Sequence, residues 1–146
     1  MKNQINYFSV LIILLSMILT SCTEDKIIAE SELPTEISSY LKMHFPNNMV
    51  VQATMDKELF STSYDVILSD NISLEFNSKN NIKDIDAASK LPDSVIPKEI
   101  LDYVKSNYAN NHITDWELDD NNQQIGLDNG IDLEFNMKGK FLRIDN

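Results

Sequence analysis

Apolar and polar residues alternate from Ile72 to Phe76 (Ile, Leu and Phe with Ser and Glu between them) and again from Ile131 to Phe135. That period of two is the mark of a strand with one buried and one wet face. The two stretches match at a constant offset of 59: Ile, Leu-Glu-Phe-Asn, a Lys and an Ile-Asp recur. A polar turn follows each, Ser78 to Asn81 and Met137 to Lys140 with Gly139, and then a second short apolar run. Each copy therefore predicts a β-hairpin. Upstream the period changes. Ile37, Tyr40, Leu41 and Phe45, and then Ile100, Tyr103, Val104 and Tyr108, lie on one face of a helix. Leu33-Pro34 and Ile96-Pro97 start these helices, because a proline in the first turn lacks only an N–H that would have no partner. Pro46-Asn47-Asn48 and Asn110-Asn111 stop them.

Four strand-like runs follow each helix: Met49–Asp56, Phe60–Ser69, Ile72–Asn77 and Ile82–Asp86, then His112–Asp119, Gln123–Asp128, Ile131–Asn136 and Phe141–Ile144. The helices match at an offset of 63 and the hairpins at 59, so the second unit lacks four residues. Its first hairpin accounts for them, Asp119 to Asn122 being tight where Lys57 to Ser63 is loose. The pattern predicts an α+β fold of two tandem repeats, residues 33–86 and 96–146, joined by a linker at 87–95. Each repeat is one helix plus a four-stranded antiparallel meander. The helices cover Val66, Leu68, Ile72, Leu74 and Phe76, and Ile125, Leu127, Ile131, Leu133 and Phe135. The opposite face, with Asp65, Ser73, Glu75, Asn77, Asp132, Glu134 and Asn136, stays wet.

Residues 1–21 do not belong to this pattern. The apolar run Phe8 to Leu19 suits the core of a signal peptide and is short of the roughly 20 residues a membrane span needs. Leu19-Thr20-Ser21-Cys22 resembles a bacterial lipobox, which implies acylation of Cys22, cleavage before it and an anchor of several acyl chains. Residues 22–32 then read as a lipidated cysteine and its tether. Thr23 stands where an inner-membrane retention signal has Asp, so the expected location is the outer membrane. Glu24-Asp25 resembles a surface-export tag, which leaves the periplasmic and cell-surface sides both open. Cys22 is the only cysteine, so the chain forms no internal disulfide. Beyond the leader lie all but one of the 12 Lys and Arg and all 23 Asp and Glu. That balance excludes nucleic acid and anionic lipid as electrostatic partners.

A Leu-Pro or Ile-Pro helix start, Ile-x-x-Tyr on the helix, an Asn-rich stop and a closing Leu-Glu-Phe-Asn-x-x-Gly-x-x-x-x-Ile resemble the PepSY-like, β-lactamase-inhibitor-like repeats of secreted bacterial lipoproteins. The resemblance covers residues 33–86 and 96–146. It implies that the two sheets join into one continuous curved sheet with the helices on one face. It also implies binding without catalysis, in the manner of an inhibitor that grips an enzyme with a concave sheet. Asn80 departs from the pattern where the second copy has Gly139, but asparagine tolerates the positive φ such a turn requires.

Little in the sequence points to catalysis. His44 and His112, the only two histidines, match no motif and suit surface or capping roles. There is no Gly-x-Ser-x-Gly elbow for a serine nucleophile, no Gly-rich phosphate loop and no zinc spacing, so no cofactor or metal is expected. Asp115, Glu117, Asp119, Asp120, Asp128, Asp132 and Glu134 make the second repeat acidic. Asp119 to Gly130 lacks the glycine at the sixth place and the glutamate at the twelfth that a calcium loop needs. Glu75 and Glu134 could form a glycosidase pair only if they faced one groove. Trp116, Phe60 and Tyr64, with Phe141, are the aromatic candidates for a protein interface. Trp116 stands where the first repeat has Ala53, so the shared core does not require it, yet such residues more often fill a core, and Trp116 shares parity with Leu118. The expected function is a non-enzymatic cell-envelope lipoprotein that binds a protein, such as an envelope hydrolase it inhibits, through the open sheet face. The alternative is a small-ligand or calcium-binding protein that uses the acidic strands of the second repeat.

Overall fold

Alternating residues build one nine-stranded antiparallel sheet in which each strand pairs with its neighbours in sequence. The computed structural model describes residues 24–119 and 121–145; the expected leader and Cys22 lie outside them. The strands are β1 (Glu24–Ile28), β2 (Val50–Lys57), β3 (Thr62–Leu68), β4 (Ile72–Phe76), β5 (Ile82–Ala87), β6 (Ile113–Asp119), β7 (Asn122–Leu127), β8 (Asp132–Asn136) and β9 (Phe141–Asp145). Helix α1 (Thr35–His44) precedes β2, and α2 (Lys98–Asn107) precedes β6.

All eight expected strands are present within a few residues of their expected bounds. β1 corrects the expected tether. Glu24–Ile28 pairs along β2, with Ile28 opposite Ala53 and buried. Five residues, three of them charged, give too little alternation to read as a strand; pairing with the edge of β2 makes them one. In the connector between the two halves, Leu91 is 1% exposed and its N–H donates to the Ile113 carbonyl at 2.8 Å, so the connector packs against the sheet.

One lateral row of side chains crosses the whole sheet. Ile28, Ala53, Val66, Leu74, Ile85, Trp116, Ile125, Leu133 and Ile144 are cross-strand partners in turn. All but Ile144 are buried. Both helices cover this face. Ile37 and Leu41 of α1 and Ile100 and Val104 of α2 are buried in the same cluster. Tyr40 meets Phe76 edge to face at 5.6 Å, and Tyr103 meets Phe135 in the same way at 5.3 Å. Such aromatic pairs add about 0.5–1.5 kcal/mol beyond the area they bury. The prolines sit one place earlier than expected, capping the helices at Pro34 and Pro97 with φ of −51° and −55°. Each helix ends where the N–H of an aromatic residue, Phe45 or Tyr108, bonds back to Leu41 or Val104 at 2.8 Å.

The hairpin turns use one device. Asn77 Oδ1 accepts the N–H groups of Lys79 and Asn81, and Asn136 Oδ1 accepts those of Lys138 and Lys140. Asn80 (φ 61°) and Gly139 (φ 72°) then reverse the chain. A Cβ at Gly139 would lie 2.6 Å from Glu99 Cβ, which a side chain at Asn80 does not suffer; its amide reaches Glu36 Oε2 at 3.4 Å.

Gly139→Ala adds both the positive-φ strain and that clash, and is expected to destabilise by about 1–3 kcal/mol in urea unfolding. Asn80→Gly is expected to change stability by no more than about 0.5 kcal/mol. In the core, Gln123 is 4% exposed, and its Oε1 accepts the Trp116 indole N–H at 3.1 Å. Gln123→Leu leaves that N–H without a partner and is expected to cost about 1–3 kcal/mol by the same measurement.

Candidate functional site

The strand pattern that buries one face of the sheet exposes the other; carboxylates dominate the open face across β4–β8, while Ile27, Thr54 and Ile67 continue its rows on β1–β3. Asp65, Glu75, Asp84, Glu117, Gln124, Glu134 and Arg143 are successive cross-strand partners. A second row runs Ser73, Asp86, Asp115, Gly126, Asp132 and Asp145. Between β5 and β6, therefore, Asp84 stands opposite Glu117 and Asp86 opposite Asp115. Like charges directly across a strand pair destabilise it.

Cations meet this face at two places. Lys83 Nζ pairs with Glu75 Oε1 at 3.0 Å, and Arg143 Nε with Glu134 Oε2 at 2.7 Å. Asp84, Asp86, Asp115, Glu117 and Asp132 make no ion pair among the described residues. Gly126 leaves room for the crowding, since a Cβ there would lie 3.0 Å from Asp115 Cβ and 3.3 Å from Asp132 Oδ1. The electrostatic result is large. Partial burial, and then the charges of Asp84, Asp86, Glu117 and Asp132, push Asp115 up to about 7. Partial burial, followed by Glu117, Glu75 and Asp86, pushes Asp84 up to about 6. Asp65 is raised by burial and by Glu75.

The aromatic candidates separate. Trp116 belongs to the buried row and bonds Gln123, which takes it off the open face. Tyr64 lies opposite Phe76 and Met55, half-buried on the helix side of the sheet. Phe141 stacks on Tyr103 at 4.7 Å, also on that side. Phe60 is exposed, at the tip of the β2–β3 hairpin. Glu75 and Glu134 share the open face but stand four strands apart, about 19 Å, too far for a glycosidase pair.

His44 Nδ1 lies 3.0 Å from Ser94 Oγ, and His112 Nδ1 lies 3.2 Å from Asp128 Oδ2, both away from the carboxylate rows. Asp128 is held below the usual carboxylate range by hydrogen bonds from the Asn111 side chain and the His112 N–H. Among the described residues no three His, Cys, Asp or Glu converge to hold a metal ion. A crevice of about 170 Å³ between α2 and the connector, lined by Leu91, Ile96, Leu101, Val104 and Ile113, is smaller than a usual ligand pocket. Sequence reasoning missed Asp84 and Asp86. The signal lay in the Lys-Asp-Ile-Asp alternation of β5, which gains meaning only once β5 is known to pair with β6.

A family model described as "Putative beta-lactamase-inhibitor-like, PepSY-like" matches residues 62–143. Three solved structures resemble the chain, each with a TM-score of 0.78 and each over 84% of it. A "putative periplasmic protein" of the DUF2874 family from Bacteroides vulgatus is 34% identical, with 98% of that chain covered. A "putative calcium-regulated periplasmic protein" from Bacteroides thetaiotaomicron is 30% identical, with 97% covered. A "putative periplasmic protein of unknown function" from Bacteroides vulgatus is 32% identical, with 100% covered. No curated protein matches.

The carboxylate array sets a pH dependence. With a folded-state pKa above the unfolded one, Asp84 and Asp115 hold protons that the unfolded chain lacks, between the ordinary carboxylate range and about 6 and about 7. Acidification through that window therefore stabilises the fold. The melting temperature is expected to rise from about pH 8 to about pH 5. Asp115→Asn is expected to raise it at the alkaline end by roughly 2–5 °C and to flatten the slope, as calorimetry can read. A melting temperature that falls over this range would refute the crowding.

Proposed function

The chain belongs to the PepSY-like, putative β-lactamase-inhibitor-like family, and from that premise we propose a non-enzymatic envelope lipoprotein that binds a basic protein surface through the carboxylate face of its sheet. The observation that carries this reading is the acid-on-acid pairing at β5–β6, which costs stability and makes no ion pair among the described residues; Lys83, paired with Glu75, offsets only part of the repulsion at Asp84. A cationic partner would relieve both the repulsion and the raised pKa values, so its binding draws on free energy stored in the unbound fold. An envelope hydrolase held against the open sheet is the partner class that the family's name suggests. The likeness to periplasmic proteins supports an envelope location. The lipobox-like Leu19-Thr20-Ser21-Cys22 supports anchoring at Cys22, on the outer membrane. We read residues 33–86 and 96–146 as tandem repeats. Their matching sequence offsets support this, as do the paired Tyr40–Phe76 and Tyr103–Phe135 contacts.

Calcium binding on the acidic strands is the second reading. The calcium-regulated description of one structural relative favours it, while the lack of a convergent ligand set among the described residues weighs against it.

Capture from envelope extract at low salt, with mass spectrometry of the retained proteins, tests the main reading. We expect one dominant basic partner, released by salt and lost with the double substitution Asp84→Asn and Asp115→Asn, whose fold is no less stable. Capture that is unchanged in that variant, or no capture, would sink the reading. Calcium added to the same protein would then be scored by its melting shift, since a ligand specific to the native state must raise it.

A further inference from the structure

The hairpin between β2 and β3 ends in Leu59 and Phe60, which are 77% and 99% exposed. The tip is ordered. The Glu58 N–H donates to the Ser61 carbonyl at 3.0 Å, and the Ser61 hydroxyl donates to Glu58 Oε2 at 3.0 Å. Two large apolar side chains are thus held out from the sheet on a closed four-residue loop.

Their place decides what they face. Glu24, the first residue of β1, lies opposite Lys57, the last residue of β2. Cys22 precedes Glu24 by two residues. At about 3.3–3.6 Å per residue, Cys22 can be no more than about 7 Å from the end of that strand pair. Leu59 and Phe60 follow Lys57 by two and three residues, at the same edge of the sheet. An acyl-bearing cysteine and an apolar tip would leave the sheet side by side.

We infer that Leu59 and Phe60 form a second membrane contact, inserting into the headgroup–acyl boundary of the bilayer that holds Cys22. This rests on the reading of Cys22 as the lipid anchor and adds an orientation to it. One anchor alone leaves the sheet free to swivel; two adjacent contacts fix its β2–β3 edge against the bilayer. The tip needs little affinity of its own, because the anchor keeps it at high local concentration near the surface. Asp25, Asp56 and Glu58 surround it with only Lys57 between them, so the contact is apolar rather than electrostatic. Zwitterionic lipid should support it.

The test uses the full, processed chain reconstituted into phosphatidylcholine vesicles, some with acyl-brominated lipid. Phe60→Trp provides the probe; Trp116, the one native tryptophan and a buried one, provides an internal reference. Mass spectrometry first reads the acyl chains on Cys22. We expect Phe60→Trp emission to shift to the blue on reconstitution and to be quenched by the brominated lipid, while wild-type emission is not. Asn47→Trp, at the opposite edge, should stay unquenched. An acylated protein whose Phe60→Trp emission remains solvent-like overturns the tip contact and leaves the anchor standing. Equal quenching at both positions overturns the fixed orientation. An unacylated protein that stays off the vesicles overturns anchor and tip together.

Discussion

The pairing of β5 with β6 is the constraint on which the sheet depends. Only three residue pairs join the two halves there: Asp84 with Glu117, Ile85 with Trp116 and Asp86 with Asp115. Two of the three set acid against acid. The joint is therefore held from the other face, where Ile85 is fully buried and Trp116 nearly so within the lateral core row. The largest side chain in that row sits at its shortest strand pairing. Ala53 occupies the matching place in the first half of the chain, against the short edge strand β1. The size difference between Ala53 and Trp116 follows from what each must hold together.

The same joint explains why the open face is charged as it is. A sheet stabilised on one side by continuous apolar burial can carry electrostatic strain on the other. Gly126 narrows the surface between Asp115 and Asp132 instead of separating them. Lys83 and Arg143 pair with Glu75 and Glu134, and Lys83 lowers Asp84 in part, but burial and the neighbouring acids outweigh it at the centre. Stability alone would favour a lysine or threonine opposite one of these acids. Their arrangement makes sense if something outside the chain supplies the missing charge.

How much of this was legible in the sequence depended on range. Period-two and helical patterns located both helices and eight strands, because each is written within ten residues. The turn at Asn80 could be anticipated from its match to Gly139, since both tolerate the same positive φ. β1 was not legible. Its strand character comes from lying along β2, and its own residues read as a charged tether. Trp116 could be read either way for a related reason: a tryptophan replacing an alanine suits an interface or a core until its cross-strand partner Ile85, some thirty residues earlier, is known. The site failed in the same way. Asp115 and Glu117 were visible as acids, but Asp84 and Asp86 became part of the same cluster only through register between strands on either side of a helix.

β1 also bears on how the molecule meets its surroundings. Without it β2 would be the edge of the sheet, eight residues long and open to pairing with another chain. β1 covers that edge with a strand that is itself short and charged, a poor template for further pairing. It also makes Glu24–Ile28, which the sequence reads as tether, part of the sheet. A long tether would let the carboxylate face point anywhere. A cysteine two residues from an ordered strand lies within about 7 Å of the strand's end, so β1 shortens the reach of the sheet from that residue without by itself fixing which way the acidic face looks.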